Sequence, residues 1–265
     1  MSPIRDQLFV EERRRVILQE LSKWGRVSVK DLSDMLNVSA VTIRQDLRSL
    51  EEDDLLERTH GGAVLPASKP SGPELSFDVR QRNKRPEKEA IARAAASLVL
   101  PGYSIALDAS TTAYAIVPYI KSLDRLIVVT NSLMIAQSLL DSPQIQVYMP
   151  GGRIRRDSIA LVGAPSTVPD INLNIGFFGT RGISLTMGIT DTDPDEVEMK
   201  RTMLLRCMRR VIVSDHDKWD KVAPYTVAEI SQVQTIITTG DAHNRSIKQL
   251  RELGIEVITA PVSKM

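Results

Sequence analysis

The stretch VSAVTIRQDLRSL, residues 38–50, decides the fold of the N-terminal part of the chain. Its Ser39 is a favourable N-cap, because a serine hydroxyl satisfies the unpaired N–H groups of a first helical turn. The stretch therefore predicts a helix that begins at Ala40. An apolar stripe follows at helical spacing, formed by Ile43, Leu47 and Leu50. Val41 is expected on roughly the same side as Leu47.

The opposite side of this predicted helix is polar in an unusual way. Its residues are Thr42, Arg44, Gln45, Arg48 and Ser49. Gln and Arg side chains form paired hydrogen bonds with adenine and guanine edges, and Thr contacts a phosphate or a thymine methyl group. The alternative is a solvated face, but such a face more often carries Glu and Lys. The pattern therefore favours a helix that reads DNA.

The preceding residues predict a second helix and a tight turn. Ser28 and Asp31 resemble a capping box, which begins a helix over about 29–36. Asn37 and Val38 then form a short connection to the helix at Ala40. Two short helices joined in this way are a helix-turn-helix, whose second helix is the recognition element. The residues of the first helix that should face inward are Val29, Leu32, Met35 and Leu36.

Residues 55–65, LLERTHGGAVL, predict a small hairpin with a glycine turn. Such a hairpin is the wing of a winged helix-turn-helix, and it would place Arg58 and His60 near the DNA backbone or minor groove. The predicted DNA contacts are Ser28, Ser39, Val41, Thr42, Arg44, Gln45, Arg48, Arg58, His60 and Gly61.

The chain of 265 residues suits two domains. A first helix over about 11–24 completes a three-helix core, so the DNA-binding domain is predicted over 1–65. The prolines and glycine of PASKPSGP (66–73) and a charged, partly helical stretch after them predict a linker over 66–85. Pro86 then opens a helix, and the second domain is predicted over 86–265.

Net charge gives no support to a nucleic-acid partner. The whole chain carries +1, and residues 1–65 hold 10 Lys and Arg against 12 Asp and Glu. The acidic run Glu51–Asp54 is nevertheless separate from the basic residues, which are Arg13–Arg15, Arg44, Arg48 and Arg58. Contacts with phosphate act over short distances because salt screens charges that are farther apart, so we give this local arrangement more weight than the net charge.

Cys207 is the single cysteine, so no intrachain disulfide forms and no thiolate metal cluster is expected. The N-terminus shows no apolar signal region, and no segment approaches the roughly 18 apolar residues of a spanning helix. We expect a cytoplasmic protein without membrane contact, metal or cofactor.

From residue 101 onward, short apolar runs alternate with helical stretches. Strands are predicted at Tyr103–Leu107, Leu126–Val129, Ile145–Met149, Ile175–Phe178, Val211–Val213, Thr235–Thr238 and Glu256–Thr259. Helices are predicted at about 112–120, 132–141, 194–209 and 243–253. Such alternation forms a parallel sheet covered on both faces. The predicted fold class is α/β, in which an N-terminal winged helix-turn-helix domain is joined to a Rossmann-like, mostly parallel C-terminal domain.

Polar loops follow five of these strands, where ligands of parallel sheets bind. Hydroxyls and unpaired N–H groups at helix N-termini hold phosphate. Cationic side chains bind anions, whereas carboxylates and Asn accept sugar hydroxyls. The candidate ligand-binding residues are Asp108, Ser110, Thr111, Thr112, Thr130, Asn131, Ser132, Gly151, Gly152, Arg153, Gly179, Thr180, Arg181, Glu196, Lys200, Asp215 and Lys218.

Several of these residues have plainer interpretations. Ser110–Thr112 can be an ordinary helix cap. Asp215 and Lys218 can be a surface ion pair that contributes little stability. Arg153, with Arg155 and Arg156, can belong to a surface charge run or a subunit contact. Arg181 can be a structural partner as readily as a ligand contact.

The motifs together resemble a known family. Residues 13–65 are similar to the DNA-binding domain of the DeoR family of bacterial transcriptional regulators, through RRRVILQELSKWGRVSV (13–29), VSAVTIRQDLRSLEE (38–52) and LLERTHGGAVL (55–65). Residues 86–260 resemble the sensor domain of that family, which is similar in fold to ribose-5-phosphate isomerase. The matching pieces are LDASTT (107–112), VVTNSL (128–133), MPGG (149–152), FFGTRGI (177–183), the Glu196 to Met203 segment and VSDHDKW (213–219).

The resemblance implies a phosphosugar effector pocket. It assigns the pocket to Asp108, Ser110, Thr111, Thr112, Thr130, Asn131, Gly152, Glu196 and Lys218. Four departures from the family pattern stand out. Gln45 replaces a second basic residue, Asp54 replaces a helix-ending glycine, Arg181 replaces an Asp, and His216-Asp217 replace small hydroxyl residues. An additional cation at position 181 suits an effector with a second acidic group.

We therefore expect a DNA-binding transcriptional regulator, namely a repressor of a carbohydrate catabolic operon. A phosphorylated sugar or sugar acid would release it from operator DNA by binding its two states unequally. The first alternative is a sugar-phosphate isomerase or lyase with an accessory nucleic-acid-binding domain, in which Asp108, Glu196, Asp215 and Lys218 would move protons. An isomerase, however, has no need of a recognition helix and a wing.

The second alternative is an activator, and the sequence does not separate it from a repressor. A homo-oligomer, either a dimer or a tetramer, is expected, because paired recognition helices gain affinity and selectivity.

Overall fold

The computed structural model describes residues 10–52, 55–64, 77–240 and 244–262. The chain divides into two units, Met1–Val79 and Arg80–Met265, and the division falls within one helix, Phe77–Arg82. The predicted linker over 66–85 is therefore only partly visible. Its residues 66–76 lie outside the described residues, whereas its C-terminal part contains this helix.

The described part of the first unit contains three helices and three short strands. They are α1 (Val10–Trp24), β1 (Arg26–Ser28), α2 (Val29–Leu36), α3 (Ala40–Glu52), β2 (Glu57–Thr59) and β3 (Gly62–Val64). The strands pair antiparallel in the order β1-β3-β2. β2 and β3 are the predicted wing, of which Leu65 lies outside the described residues. The sequence did not reveal β1. Its close approach requires glycine at position 62, because a Cβ there would lie 1.8 Å from the carbonyl oxygen of Val27.

The predicted helix starts are confirmed. The Ser28 hydroxyl accepts a hydrogen bond from the Asp31 N–H at 3.0 Å, and the Ser39 hydroxyl accepts one from the Thr42 N–H at 3.1 Å. Asn37 adopts a left-handed φ of 52° and ends α2, which forms the turn between the two helices. Asn tolerates this conformation better than most residues.

The core of the first unit contains Ile17, Leu21, Leu32, Ile43, Leu47 and Leu50. Two predictions about this core were wrong. Val41 is 69 % exposed and does not share a side with Leu47, because six residues turn a helix through about 600°, which leaves the two side chains far apart around the axis. Met35, predicted to face inward, is 49 % exposed.

The second unit continues with helices α4 (Phe77–Arg82, shared with the first unit), α5 (Arg85–Ala96), α6 (Thr111–Tyr114), α7 (Val117–Ile120), α8 (Leu133–Leu139), α9 (Pro194–Leu205) and α10 (Asn244–Glu252). Its described strands are β4 (Ser104–Leu107), β5 (Ile127–Thr130), β6 (Gln146–Tyr148), β7 (Arg153–Arg155), β8 (Ala160–Val162), β9 (Leu173–Phe178), β10 (Gly182–Ser184), β11 (Gly188–Asp191), β12 (Cys207–Val213), β13 (Tyr225–Ala228), β14 (Thr235–Thr238) and β15 (Glu256–Thr259).

Seven of these strands form one sheet in the order β15-β14-β12-β9-β4-β5-β6, and all neighbours are parallel. These are the seven predicted strands, so the predicted α/β fold is confirmed. The direction of winding reverses between β4 and β9. Two apolar clusters pack against the sheet, one around Phe178, Met203 and Ile212 and the other around Ile91, Ile105 and Phe177.

Two predicted helices have different bounds. The helix predicted over 194–209 ends at Leu205, and Cys207 already begins β12. The helix predicted over 112–120 is two short helices, α6 and α7. At the first break apolar residues suit a helix and a strand equally, so the pattern did not locate it. At the second break a proline lies in the first turn of α7, where proline is compatible with the start of a new helix.

Two small antiparallel additions were not predicted. β7 pairs with β8, and β10, β11 and β13 form a separate sheet. Their strands have three or four residues, which is too short for a clear alternation of apolar and polar side chains. In the part of the chain that the structure describes, every helix is too short or too polar to cross a bilayer.

Candidate functional site

The exposed side of α3 and the wing form one concave surface. Val41, Arg44, Gln45 and Arg48 are solvent-exposed, and they line it together with Ser49, Arg58 of β2 and Arg14 of α1. We call this set the recognition surface. It unites five of the predicted DNA contacts and adds Arg14, which the sequence suggested only as part of a basic run.

The other predicted DNA contacts lie elsewhere on the first unit. Ser28 and Gly61 line a second concave surface, beside β1 and β3. Ser39 and Thr42 line a third, at the turn between α2 and α3, where their hydroxyl oxygens are 2.8 Å apart. His60 is exposed in the turn of the wing. The structure therefore separates the predicted set into three surface regions.

The separation of basic from acidic residues in this unit was overestimated. Arg13 is buried, and its guanidinium donates to both carboxylate oxygens of Asp46, at 2.5 and 3.2 Å. Asp46 also accepts from Arg14 at 3.3 Å. Arg58 lies 3.7 Å from Glu51, which belongs to the acidic run. Arg13 thus joins α1 to α3 and is unavailable for a phosphate contact.

In the second unit, a buried ionic cluster lies where the winding of the sheet reverses. Asp108 follows β4, and its carboxylate accepts from the Gly179 N–H at 2.9 Å and the Ser110 N–H at 3.1 Å. Gly179 follows β9, so this carboxylate bridges the two halves of the sheet. A Cβ at position 179 would lie 2.4 Å from the Ser110 side chain, which explains the glycine.

Lys200 supplies the positive charge of this cluster from α9. Its Nζ lies 3.0 Å from Asp108 Oδ2 and 2.6 Å from Asp191 Oδ2, and it donates to the Gly179 carbonyl at 2.8 Å. Burial alone would lower the pKa of Lys200, but the two carboxylates raise it above its ordinary value. The ammonium is therefore fully charged at neutral pH. The Asp191 carboxylate is charged as well: burial alone would raise its pKa, but Lys200 and Arg181 lower it below its ordinary value.

A second ionic group lies beside Glu196. Arg155, whose side chain is 13 % exposed, donates to Glu196 at 2.9 Å, to Asp193 at 3.0 Å and to Ser158 at 3.2 Å. The sequence treated Arg155 as part of a surface charge run, so its role was missed. Its partners lie about forty positions away in the chain, a separation that no local pattern reveals.

The loop after β5 is covered by the β7–β8 hairpin. Thr130 and Ser132 are fully buried, and their hydroxyls accept from the N–H groups of Ser132 and Ile135. Asn131 is also buried. Its Nδ2 donates to the Leu161 carbonyl, whereas its Oδ1 has no hydrogen-bond partner among the described residues.

The remaining residues of the loops after β4, β6 and β9 differ in their exposure to solvent. Thr111 and Thr112 are buried in α6, behind the Ser110 cap. Gly151, Gly152 and Arg153 are exposed, and Arg153 contacts Asp195. The Thr180 hydroxyl lies 2.8 Å from both the Gly182 and the Thr190 carbonyl oxygens and can donate to either, so it stabilises the open end of the β10–β11 hairpin.

Positive charge collects at the loop after β12. Asp215 is buried next to Lys218, and Lys88 of α5 belongs to the same cluster, which no local sequence pattern indicated. Burial lowers the pKa of Lys218, and it lowers the pKa of Lys88 to about 8. The negative charge of Asp215 opposes both shifts, whereas the positive charge of Arg181 adds to them. Asp215 and, more weakly, Asp217 thus act on a group of partly buried cations that repel one another, an arrangement that attracts an anion.

The single cysteine takes no part in these clusters. Cys207 is buried, its thiol donates to the Met203 carbonyl at 3.2 Å, and burial raises its pKa to about 12. It packs against the core at the start of β12.

Comparisons with known proteins identify both units. Residues 13–69 match the model of the DeoR-like helix-turn-helix domain, and residues 83–240 match that of the DeoR C-terminal sensor domain. The chain belongs to the DeoR family. Both resemblances stated from the sequence are confirmed.

Relatives of this DeoR-family chain match along nearly its whole length. A putative aga operon transcriptional repressor of Escherichia coli O157:H7 is 31 % identical and covers 93 % of each chain. The transcriptional regulator GolR of Listeria innocua is 32 % identical over 94 % of this chain and 98 % of its own, and the repressor GlcR of Bacillus subtilis is 30 % identical over 95 % and 96 %.

Solved structures add a remote likeness. Ribose 5-phosphate isomerase A of Methanocaldococcus jannaschii aligns with 50 % of this chain and 53 % of its own, at 14 % identity and a TM-score of 0.38. The DeoR-family relatives are regulators that carry the same DNA-binding domain, so this chain is a transcriptional regulator and not an enzyme. The isomerase or lyase alternative is therefore wrong.

Proposed function

We propose that this regulator represses a carbohydrate catabolic operon and leaves its operator when a phosphorylated sugar or sugar acid binds the sensor. The observation that carries the proposal is the recognition surface, where exposed guanidinium and amide groups of α3 stand beside Arg58. Such groups read base edges and contact phosphates. Two relatives are named as repressors, which supports repression over activation.

The proposed effector site lies at the carboxyl ends of β12, β9, β4, β5 and β6, which are contiguous in the sheet. Arg181 and Lys218 would bind the acidic groups of the effector, because the two cations lie close enough to repel each other and an anion would relieve that repulsion. Asn131 Oδ1, which has no partner in the part of the chain that the structure describes, would accept a hydrogen bond from a sugar hydroxyl, since a buried acceptor without a donor is costly.

The candidate residues divide into two roles within this proposal. Buried side chains whose polar atoms are already paired would hold the loops in position; they are Asp108, Thr130, Ser132 and Lys200. Residues that are exposed or partly exposed would contact the effector, and Arg153, Arg181 and Lys218 are the cationic members of that group. Glu196 is held by Arg155 and belongs to the first role.

We also propose that the protein binds DNA as a homo-oligomer. One recognition helix contacts only a few base pairs, and a symmetric pair that reads two half-sites gains affinity and selectivity.

A gel-shift titration with the DNA upstream of the gene tests the DNA part. Arg44→Ala should weaken binding by about tenfold or more, the value of one base-reading side chain. Arg93→Ala, which removes an exposed charge from α5, is the matched control and should leave affinity unchanged. If a folded Arg44→Ala protein bound the operator with unchanged affinity, the proposed contact between α3 and DNA would be refuted.

A thermal-shift screen tests the effector part, because a ligand that binds the folded state raises its stability. Ribose 5-phosphate, glucose 6-phosphate, fructose 1-phosphate and 6-phosphogluconate are suitable probes. A compound that stabilises the protein should also release the DNA. Stabilisation by unphosphorylated sugars alone would contradict the phosphosugar assignment.

A further inference from the structure

The chain enters the second unit through a short basic segment, residues 80–88, which we call the connector. It contains the end of α4, the turn at Asn83 and Lys84, and the first turn of α5. Two of its side chains form hydrogen bonds to backbone carbonyls. Arg80 donates to the Asp157 carbonyl at 3.2 Å, and Lys88 donates to the carbonyls of Asn83, at 2.8 Å, and Arg80.

Lys84 forms the contacts that matter most. Its Nζ lies 3.7 Å from Asp215 Oδ1 and contacts the Asp217 carboxylate. Both acidic residues belong to the loop after β12, which is one side of the proposed effector site. Lys84 also adopts a left-handed φ of 53°, which is unfavourable for a residue with a Cβ, and its side chain does not cap α5. Surrounding contacts must therefore hold the turn in this form.

Asp215 is shared between the connector and the proposed site. It faces Lys84 on the connector, and it also compensates Lys218 within its own loop. An anion bound by Lys218 would neutralise the Lys218 ammonium in place of Asp215. The carboxylate of Asp215 would then interact more strongly with Lys84, which still lies beyond direct hydrogen-bond distance from it.

We propose that the ion pairs of Lys84 with Asp215 and Asp217 transmit anion binding at the β12 loop to the connector, through which the chain continues to the DNA-binding unit. This inference rests on the proposed effector site. It requires no contact between the two units, because the connector is the covalent path between them. A six-residue helix such as α4 is marginal by itself, so its order responds to small changes in such tethers.

Hydrogen–deuterium exchange on the full-length protein tests the inference, with inorganic phosphate as the probe and sodium chloride of equal ionic strength as the reference. In the wild type, phosphate should slow exchange both in the β12 loop and in the connector. The connector effect should be about threefold, the size of a partly exposed ion pair. In Lys84→Gln the loop should still respond and the connector should not.

Lys121→Gln is the matched control, because it breaks another lysine–aspartate pair of this unit, that with Asp141 at 2.9 Å. It should behave as the wild type. Slower exchange in the loop with no change in the wild-type connector would overturn the inference and leave the effector site standing. An equal connector response in Lys84→Gln would also overturn it. No response in either segment would refute the anion site itself, and the inference with it.

Discussion

Replacing Lys200 with Met should strongly destabilise the second unit. The Lys200 ammonium is the cation shared by Asp108, at 3.0 Å, and Asp191, at 2.6 Å, and the three side chains are only 7, 2 and 9 % exposed. Removing it leaves two buried carboxylates. Breaking a buried ion pair from one side costs about 3–5 kcal/mol. For a unit of this size that corresponds to a fall in Tm of roughly 6–20 °C.

The loss should also depend on pH. Asp191 keeps Arg181 at 3.8 Å, so Asp108 bears most of the penalty. Burial without a neighbouring cation favours the neutral form of a carboxyl group. A carboxyl group whose folded pKa exceeds its unfolded pKa stabilises the fold at low pH, and that contribution disappears as the pH rises through the folded value. The variant should therefore recover stability relative to the wild type on acidification. In the wild type the pKa of Asp191 is lowered, so its contribution is present at neutral pH and is lost only in acid.

Scanning calorimetry of the full-length protein between about pH 5 and pH 8 measures both effects. Lys248→Met is the control, because Lys248 lies 4.0 Å from Glu252 on an exposed helix face. Such a pair contributes about 0.5 kcal/mol or less. A Tm loss in Lys200→Met no larger than in the control, or an identical loss across the pH range, would refute the reasoning.

Three further predictions follow from the charged groups. Asp46→Asn should cost the first unit about 3 kcal/mol and weaken operator binding, because it removes the carboxylate that pairs with the buried Arg13 guanidinium; circular dichroism melts and gel shifts measure this. The free energy of unfolding should rise between about pH 8 and pH 10, because in this range Lys88 is deprotonated in the folded state but still protonated in the unfolded state. Lys88→Met should flatten this rise. Arg181→Gln should reduce the thermal shift with 6-phosphogluconate more than that with glucose 6-phosphate; equal reductions would exclude a second acidic group on the effector.

The elements of both units were predictable where local chemistry determines them. Ser28 and Ser39 cap their helices because the next three residues supply the N–H donor, and the seven strands of the sheet are apolar runs bounded by loops. The same reasoning failed at Val41, which was expected on roughly the same side as Leu47, and at Cys207, where helix and strand patterns overlap. Local patterns constrain the type of an element more strongly than its exact limits.

The candidate site was predictable at the level of its loops, because the carboxyl ends of parallel strands meet at one edge. The pairing of charges within it was not. Arg155 reaches Glu196, and Arg13 reaches Asp46, across more than thirty positions. Nothing in the local sequence distinguishes these arginines from exposed ones. Lys88 was missed for the same reason, since it occupies an ordinary position in an amphipathic helix.

The distribution of ionic contacts suggests which part of the sensor can respond to a ligand. The Asp108–Lys200 cluster is buried and joins the two halves of the sheet, so a change there would disturb the whole unit. The Lys84–Asp217 contact is half-exposed, and such pairs are worth little individually. A bound anion can strengthen or break a weak ion pair at small cost in free energy, whereas breaking the buried cluster would cost far more. Signalling from the sensor should therefore begin at the loop after β12, while the β4 and β9 loops keep the site in shape.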